Sequence, residues 1–224
     1  MKRSEINNYL ESAKQFFKRM NFLLPPWAYW NPEDWQDKRH ACSEVFSNML
    51  GWDITDFGSN DFLKKGLLLF TIRNGNSTKD TKPYAEKIMI AREDQVTPMH
   101  FHWNKMEDII NRGGCDLVLE LYNSTKDEKL SNDDVVVKID GVQKKCKAGE
   151  KVILTPGESI FMPQNLYHKF YGRKGTGHVL TGEVSMVNDD STDNRFYSPA
   201  GRFPDIIEDE KPLHLLVSDY ANYI

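Results

Sequence analysis

The chain has 224 residues, a formal net charge of −4, and charges of both signs interspersed through 28% of its length. That length suits one good-sized core, and all-β domains often reach it undivided. An acidic balance argues against nucleic acid as a partner, and no run of about 18 apolar residues offers a membrane span. The opening Met1-Lys-Arg-Ser-Glu-Ile-Asn-Asn lacks the apolar stretch of a signal peptide. Cys42, Cys115 and Cys146 are odd in number and lack Cys-x-x-Cys spacing, so reduced thiols are expected rather than disulfides or zinc thiolates. The expectation is a cytoplasmic globular protein.

Residues 4–20 carry Ile6, Tyr9, Leu10, Ala13, Phe16, Phe17 and Met20, a helical spacing. It predicts a helix capped by Ser4, with Lys18 and Arg19 in its last turn and Pro25-Pro26 beyond its end. Asn31-Pro32-Glu33-Asp34 gives a cap followed by proline, the start of a second helix. Trp27, Tyr29, Trp30 and Trp35 form an aromatic cluster expected to act as a packing lid, with a barrel mouth or a subunit contact as other uses. His40 sits among polar residues and is expected to be exposed or structural. Residues 1–65 thus read as a helical arm.

From residue 66 the pattern changes to short strands. Segments 67–73, 85–92, 95–102, 108–111, 117–122, 135–139, 152–155, 159–162, 168–172 and 179–187 are β-rich. Asn74-Gly75, Asp140-Gly141 and Pro156-Gly157 mark turns between them. Many short strands at this spacing mean a sandwich or barrel, here over residues 66–190. Residues 191–224 read as a C-terminal extension packed on it, with Glu208-Asp209-Glu210 as a solvated turn.

His100 and His102 stand two apart on a predicted strand, so both imidazoles share one face and Phe101 and Trp103 take the other. Glu107 follows five residues later, and a short turn at Asn104 and Lys105 would return its carboxylate beside the imidazoles on a neighbouring strand. Imidazoles plus a carboxylate suit a divalent ion of the Mn, Fe, Co, Ni or Zn group.

These residues also carry a resemblance. His100-x-His102-x4-Glu107-x6-Gly114 resembles the first cupin motif, and Gly157-x5-Pro163-x4-His168 the second. The sequence departs from the usual pattern at Asn165, where cupins have glycine, and at Gly172, where they have asparagine. The resemblance implies a mainly β fold, a cupin double-stranded β-helix (a jelly-roll barrel), with His100, His102, Glu107 and His168 holding one metal inside it. It narrows further. The stretch His100-Phe-His102-Trp103-Asn-Lys105-Met-Glu107-Asp108-Ile-Ile-Asn111-Arg112 is similar to the signature of the cupin-type D-lyxose isomerases. So are Pro163-Gln-Asn-Leu-Tyr-His168, Gly182-Glu183-Val-Ser-Met-Val-Asn188-Asp189-Asp190 and Gly201-Arg-Phe-Pro204. That family implies D-lyxose to D-xylulose interconversion, D-mannose to D-fructose as a related activity, and usually Mn²⁺.

Aldose–ketose isomerisation moves a proton or hydride between C1 and C2 of an open-chain sugar. A metal near O1 and O2 stabilises the negative charge that develops there, and a nearby carboxylate carries the proton. Glu183, on a late strand with Thr181 and Ser185 on its own face, is the expected base, with Gly182 allowing close approach. Lys105 is expected to assist catalysis and to touch a sugar oxygen. Asp189, Asp190 and Arg195 lie in a polar loop expected over the barrel mouth as sugar contacts, and Arg112 is either a sugar contact or a surface charge. Asp108 is a candidate to orient a ligand histidine. His178, His214 and Tyr167 fall outside the expected site. No glycine-rich helix start or Arg/Lys cluster offers a phosphate grip, so the expected partner is an unphosphorylated monosaccharide, with a homodimer as the assembly. An Fe(II) oxygenase and a non-catalytic sugar- or metal-binding cupin are the competing classes.

Overall fold

The computed structural model describes residues 1–76, 81–189 and 192–223. Among the described residues, thirteen strands follow the N-terminal helix α1 (Arg3–Arg19). They are β1 (Gly51–Thr55), β2 (Leu67–Arg73), β3 (Tyr84–Ala91), β4 (Thr97–Phe101), β5 (Glu107–Gly114), β6 (Leu117–Asn123) and β7 (Val135–Ile139). Then come β8 (Val142–Cys146), β9 (Lys151–Leu154), β10 (Ser159–Met162), β11 (Leu166–Gly172), β12 (Val179–Met186) and β13 (Arg195–Phe196). Short helices α2 (Ser43–Ser47) and α3 (Tyr220–Tyr223) complete the set. The strands form two antiparallel sheets, ordered β1-β2-β3-β12-β5-β10-β7-β8 and β13-β4-β11-β6-β9. This is the expected mainly β cupin architecture.

Side-chain alternation builds two cores from the same strands. Leu67, Leu69, Met89, Ile109, Leu119, Leu121 and Phe170 fill the space between the sheets. Leu68, Phe70, Ile88 and Ile90 point the other way, onto Ile6, Leu10, Ala13 and Phe17 of α1. Both faces of β2 and β3 are therefore covered, which explains their near-continuous apolar runs. Gly114 closes β5 at φ +88°, where a Cβ would stand 2.4 Å from the His178 carbonyl oxygen. Asn165, in the position where cupins have glycine, takes φ +61°, a conformation asparagine tolerates better than most residues.

Several expectations need correction. The segment expected to be a helical arm contains β1, whose five residues are all buried. Ser4 does not cap α1. The helix begins after Lys2, whose N–H donates to Glu5 Oε2 at 2.8 Å, while Ser4 N and Oγ donate to Asp209 at 3.0 and 2.8 Å. Glu208-Asp209-Glu210 is exposed, as a solvated turn implies, and it also engages the start of α1. Glu208 receives the Arg3 guanidinium at 2.6 Å and Glu210 the Asn7 amide at 3.1 Å, placing carboxylates at the positive end of α1. The second helix start is a single 3-10 turn, Pro32–Trp35, capped by Asn31 as its sequence implies. Trp27, Trp30 and Trp35 pack with Leu215, Val217 and Tyr220 within the chain, away from the metal-ligand candidates.

Candidate metal centre and active site

Alternation on β4 sends His100 inward and Phe101 outward, where its ring meets Tyr167 edge-on at 4.7 Å. On β11, His168 lies directly opposite His100 in register, and Tyr167 takes the other face. His102 follows the last residue of β4. The three ring centroids are 4.2 to 5.5 Å apart, and one nitrogen from each ring lies within 4.8 Å of the others.

The opposite nitrogens fix the tautomers. His100 Nδ1 meets the Pro98 carbonyl at 2.8 Å, His102 Nδ1 the Asp193 carbonyl at 2.7 Å, and His168 Nδ1 the Leu166 carbonyl at 2.9 Å. A carbonyl oxygen only accepts, so each Nδ1 carries the hydrogen, and in the neutral ring Nε2 is left with its lone pair. Main-chain carbonyls thus take the orienting role expected of Asp108, which is only partly buried and lies on the outer register of β5. Burial, and then the neighbouring imidazoles, hold His100 well below the ordinary histidine range, so it stays neutral.

Glu107 arrives from the other sheet. It opens β5, which does not pair with β4, so the expected neighbouring-strand arrangement is replaced by one in which carboxylate and imidazoles face each other across the barrel. Glu107 Oε1 lies 3.1 Å from His168 Nε2 and 3.6 Å from His102 Nε2. Burial alone would raise its pKa, but Lys105 and then His102 and His168 draw it well below the usual carboxylate range. His168 Nε2 is buried without a hydrogen-bond partner among the described residues, with a Glu107 oxygen 3.1 Å away. Three converging imidazole lone pairs, one of them orphaned, and one ionised carboxylate fit a divalent cation. His100, His102, His168 and Glu107 are the residues that would hold it.

Beside this cluster lies a chain of buried charges. Lys105 Nζ stands 2.6 Å from Glu107 Oε2 and donates to Glu183 Oε1 at 2.8 Å. Glu183 sits on β12 directly opposite Lys87 of β3, whose Nζ is 3.5 Å from Glu183 Oε1. Asn188 Oδ1 receives both ammoniums, from Lys87 at 2.8 Å and from Lys105 at 3.2 Å. Lys87, Lys105, Glu107 and Glu183 share one cavity with His100 and His102, walled by apolar side chains such as Leu69, Met89, Phe170 and Phe196.

The other expected contacts are placed elsewhere. Arg195 pairs with Phe101 in register and so points outward, donating to Glu128 Oε2 at 2.6 Å, while the next residue, Phe196, faces His100 and the cavity. This register places Phe196, and not Arg195, on the cavity side of β13. Asp189 is exposed and borders a separate polar cleft with Asn74 and Arg202. Asp190 lies outside the described residues. Gly182 faces away from the cavity and is covered by the Arg112 side chain, so it offers no approach to substrate.

Sequence reasoning missed Lys87, Asn188 and Asp193. The signal for Lys87 was its place in the inward series Ala85, Lys87, Met89, Ala91, buried throughout β3. Asp193 was visible only as one more polar loop residue. Its carboxylate accepts the Asn104 and Lys105 N–H groups, each at 2.9 Å.

The family model described as D-lyxose isomerase matches residues 1–220. Proteins named D-lyxose/D-mannose isomerase from Serratia proteamaculans and from Escherichia coli O157:H7 are each 49% identical to this chain, over the full length of both partners. Among solved structures, the L-ribose isomerase of Cellulomonas parahominis bound to L-ribose superposes with a TM-score of 0.61 at 15% identity, covering 92% of this chain and 98% of that one. A variant of the Acinetobacter sp. DL28 L-ribose isomerase gives 0.63 at 14% identity with the same coverage. At that identity the likeness concerns the fold alone. Full-length identity and the family match together establish that the chain belongs to the D-lyxose isomerase family.

Proposed function

We propose that this chain interconverts D-lyxose and D-xylulose, and D-mannose and D-fructose, in a pocket that takes a divalent ion, with Mn²⁺ the first choice and Co²⁺, Fe²⁺, Ni²⁺ or Zn²⁺ as substitutes. The names of its full-length relatives support the substrates. The observation that carries the chemistry is the buried Glu183–Lys105 pair, 2.8 Å apart, beside three imidazoles with converging lone pairs.

The bound ion would supply Lewis acidity toward the sugar's carbonyl end. Glu183 takes the proton from C2 of the open-chain aldose and returns it to C1, while the hydroxyl proton of O2 passes to O1, giving the ketose. Lys105 donates a hydrogen bond to the sugar oxygen on which negative charge grows. Lys87 holds Glu183 from the opposite side, and Asn188 orients both ammoniums. Glu107 and Glu183 are matched by Lys105 and Lys87, so the positive charge of a bound ion would be left to balance the developing anion. The apolar walls exclude water, which strengthens each of these interactions.

Solvent deuterium tests the proton route. Ketose formed in D₂O carries deuterium at C1 if Glu183 exchanges the proton, and none if hydride shifts directly. A Glu183→Gln chain should keep its metal and lose about 10²- to 10⁴-fold in kcat. Full activity in that variant would instead favour a site that binds sugar without using this carboxylate. Oxygen uptake with Fe²⁺ and no ketose would favour the oxygenase class.

The setting is proposed to be the cytoplasm, with the chain as a homodimer. No helix among the described residues is long and apolar enough to cross a membrane. Tyr84, Val184 and Met186, all exposed on neighbouring strands β3 and β12, support a contact between copies through the outer sheet face.

A further inference from the structure

One residue outside the ligand set touches both halves of the site. Asp193 lies between β12 and β13 and is 6% exposed. Its main-chain carbonyl receives the His102 Nδ1 hydrogen at 2.7 Å. Its carboxylate faces the other way along the same turn. Oδ1 accepts Asn104 N at 2.9 Å and Asn104 Nδ2 at 3.2 Å, and Oδ2 accepts Lys105 N at 2.9 Å. The Asp193 N–H in turn donates to the Asp189 carbonyl at 3.0 Å, which fixes the residue's own orientation.

The consequence follows along the chain. Residues 102 to 105 cross from one sheet to the other, and no strand pairing holds them. Their geometry therefore depends on the groups that receive their N–H donors. A carboxylate accepting two main-chain amides gives charge-assisted bonds, stronger than neutral ones. With Lys105 N pinned, its side chain is aimed at Glu107 and Glu183. With the His102 imidazole held by the same residue's carbonyl, its Nε2 is aimed at the metal cluster.

We propose that Asp193 is a positioning residue for both His102 and Lys105, setting metal affinity through one and catalytic geometry through the other. The proposal rests on the metal reading above. It goes beyond that reading because it predicts a defect in metal binding from a residue that is not a ligand. Groups that orient ligand histidines typically change metal affinity by about 10- to 100-fold.

The test uses full-length protein, stripped with a chelator and titrated with Mn²⁺, with free Mn²⁺ followed by electron paramagnetic resonance. Asp193→Ala removes all three acceptor contacts of the carboxylate. Asp193→Asn keeps the volume and one acceptor oxygen but turns an NH₂ toward an amide donor. Both variants keep the main-chain carbonyl that receives His102 but release the carboxylate contacts that hold that carbonyl in place, so Mn²⁺ should bind at least about tenfold more weakly than in the parent. Their Co²⁺ forms should show an altered visible spectrum. At saturating Mn²⁺, kcat on D-lyxose should still fall at least about tenfold, because Lys105 remains misaimed.

A folded variant with parental Mn²⁺ affinity and Co²⁺ spectrum overturns the proposal and leaves the isomerase reading intact. Loss of the fold in both variants also overturns it, in favour of a purely structural role. A parent chain that takes up no divalent ion overturns the metal reading, and this proposal with it.

Discussion

Lys105 Nζ donates to Glu183 Oε1 at 2.8 Å, joining the turn after β4 to the middle of β12 in a site where both side chains are almost fully buried. The same ammonium stands 2.6 Å from Glu107 Oε2. A single cation thus separates a metal-ligand candidate from the proposed base.

Replacing that cation isolates its role. Lys105→Met keeps most of the length and removes the charge, so Glu107 loses its cation while Glu183 retains only Lys87. Loss of an aimed donor of this kind lowers kcat by about 10²- to 10³-fold. Steady-state kinetics at saturating metal should show the fall in kcat, and metal titration should show one ion still bound. An unchanged kcat would remove Lys105 from the catalytic set.

The N-terminus is tied to the C-terminal segment by a buried guanidinium. Arg3 Nη1 and Nη2 reach Asp219 Oδ2 and Oδ1 at 3.0 and 2.8 Å, and Nε reaches Glu208 Oε2 at 2.8 Å. Arg3→Met leaves the Asp219 carboxylate buried without its partner, a change worth about 3–5 kcal/mol. Denaturant unfolding should report a loss of that size, while the kinetics of the folded fraction stay close to the parent's. Arg3 is more than structural if kcat falls without a change in stability.

His214 gives the fold a defined response to acid. Its ring stacks on Trp52 at 6.4 Å, and Nδ1–H donates to the Trp30 carbonyl at 2.9 Å. Burial holds it below the ordinary histidine range, with Lys14 adding to the effect and the Trp30 bond and Glu11 opposing it. The unfolded chain takes a proton near pH 6.5, and the folded chain only at lower pH. Its contribution is therefore complete above about pH 6.5 and is lost as pH falls from there toward the depressed folded value. Urea unfolding of His214→Gln at several pH values should show a shallower decline across that window. An unchanged slope would assign the acid response to other groups.

How much was legible follows from what each signal depends on. The histidines and Glu107 were readable because ligand spacing on strands is a local property: alternation put His100 and His102 on one side without knowledge of the sheet. The sheet that supplies Glu107 was not readable, since it depends on where the turn at 103–106 leads. The outward register of Arg195 was not readable for a related reason. Alternation on the two-residue β13 turns Phe196 inward and Arg195 out, and so short a strand leaves no periodic trace. Lys87 was missed because both faces of β3 are buried, so its contrast with a polar face vanished. The acidic run at 208–210 is exposed as expected, but its contacts with Arg3, Ser4 and Asn7 were not readable because those residues lie some two hundred positions away in sequence.

The central claim is metal-dependent sugar isomerisation in the pocket of His100, His102, Glu107 and His168. Ketose formation by chelated protein, measured with D-lyxose, D-mannose and D-xylose before and after Mn²⁺ is restored, tests it most directly. Activity that appears only with the metal and is highest on D-lyxose is the predicted result. One ion bound per chain, with no ketose formed from any of the three sugars, would contradict it and leave the barrel as a metal-binding fold with another task.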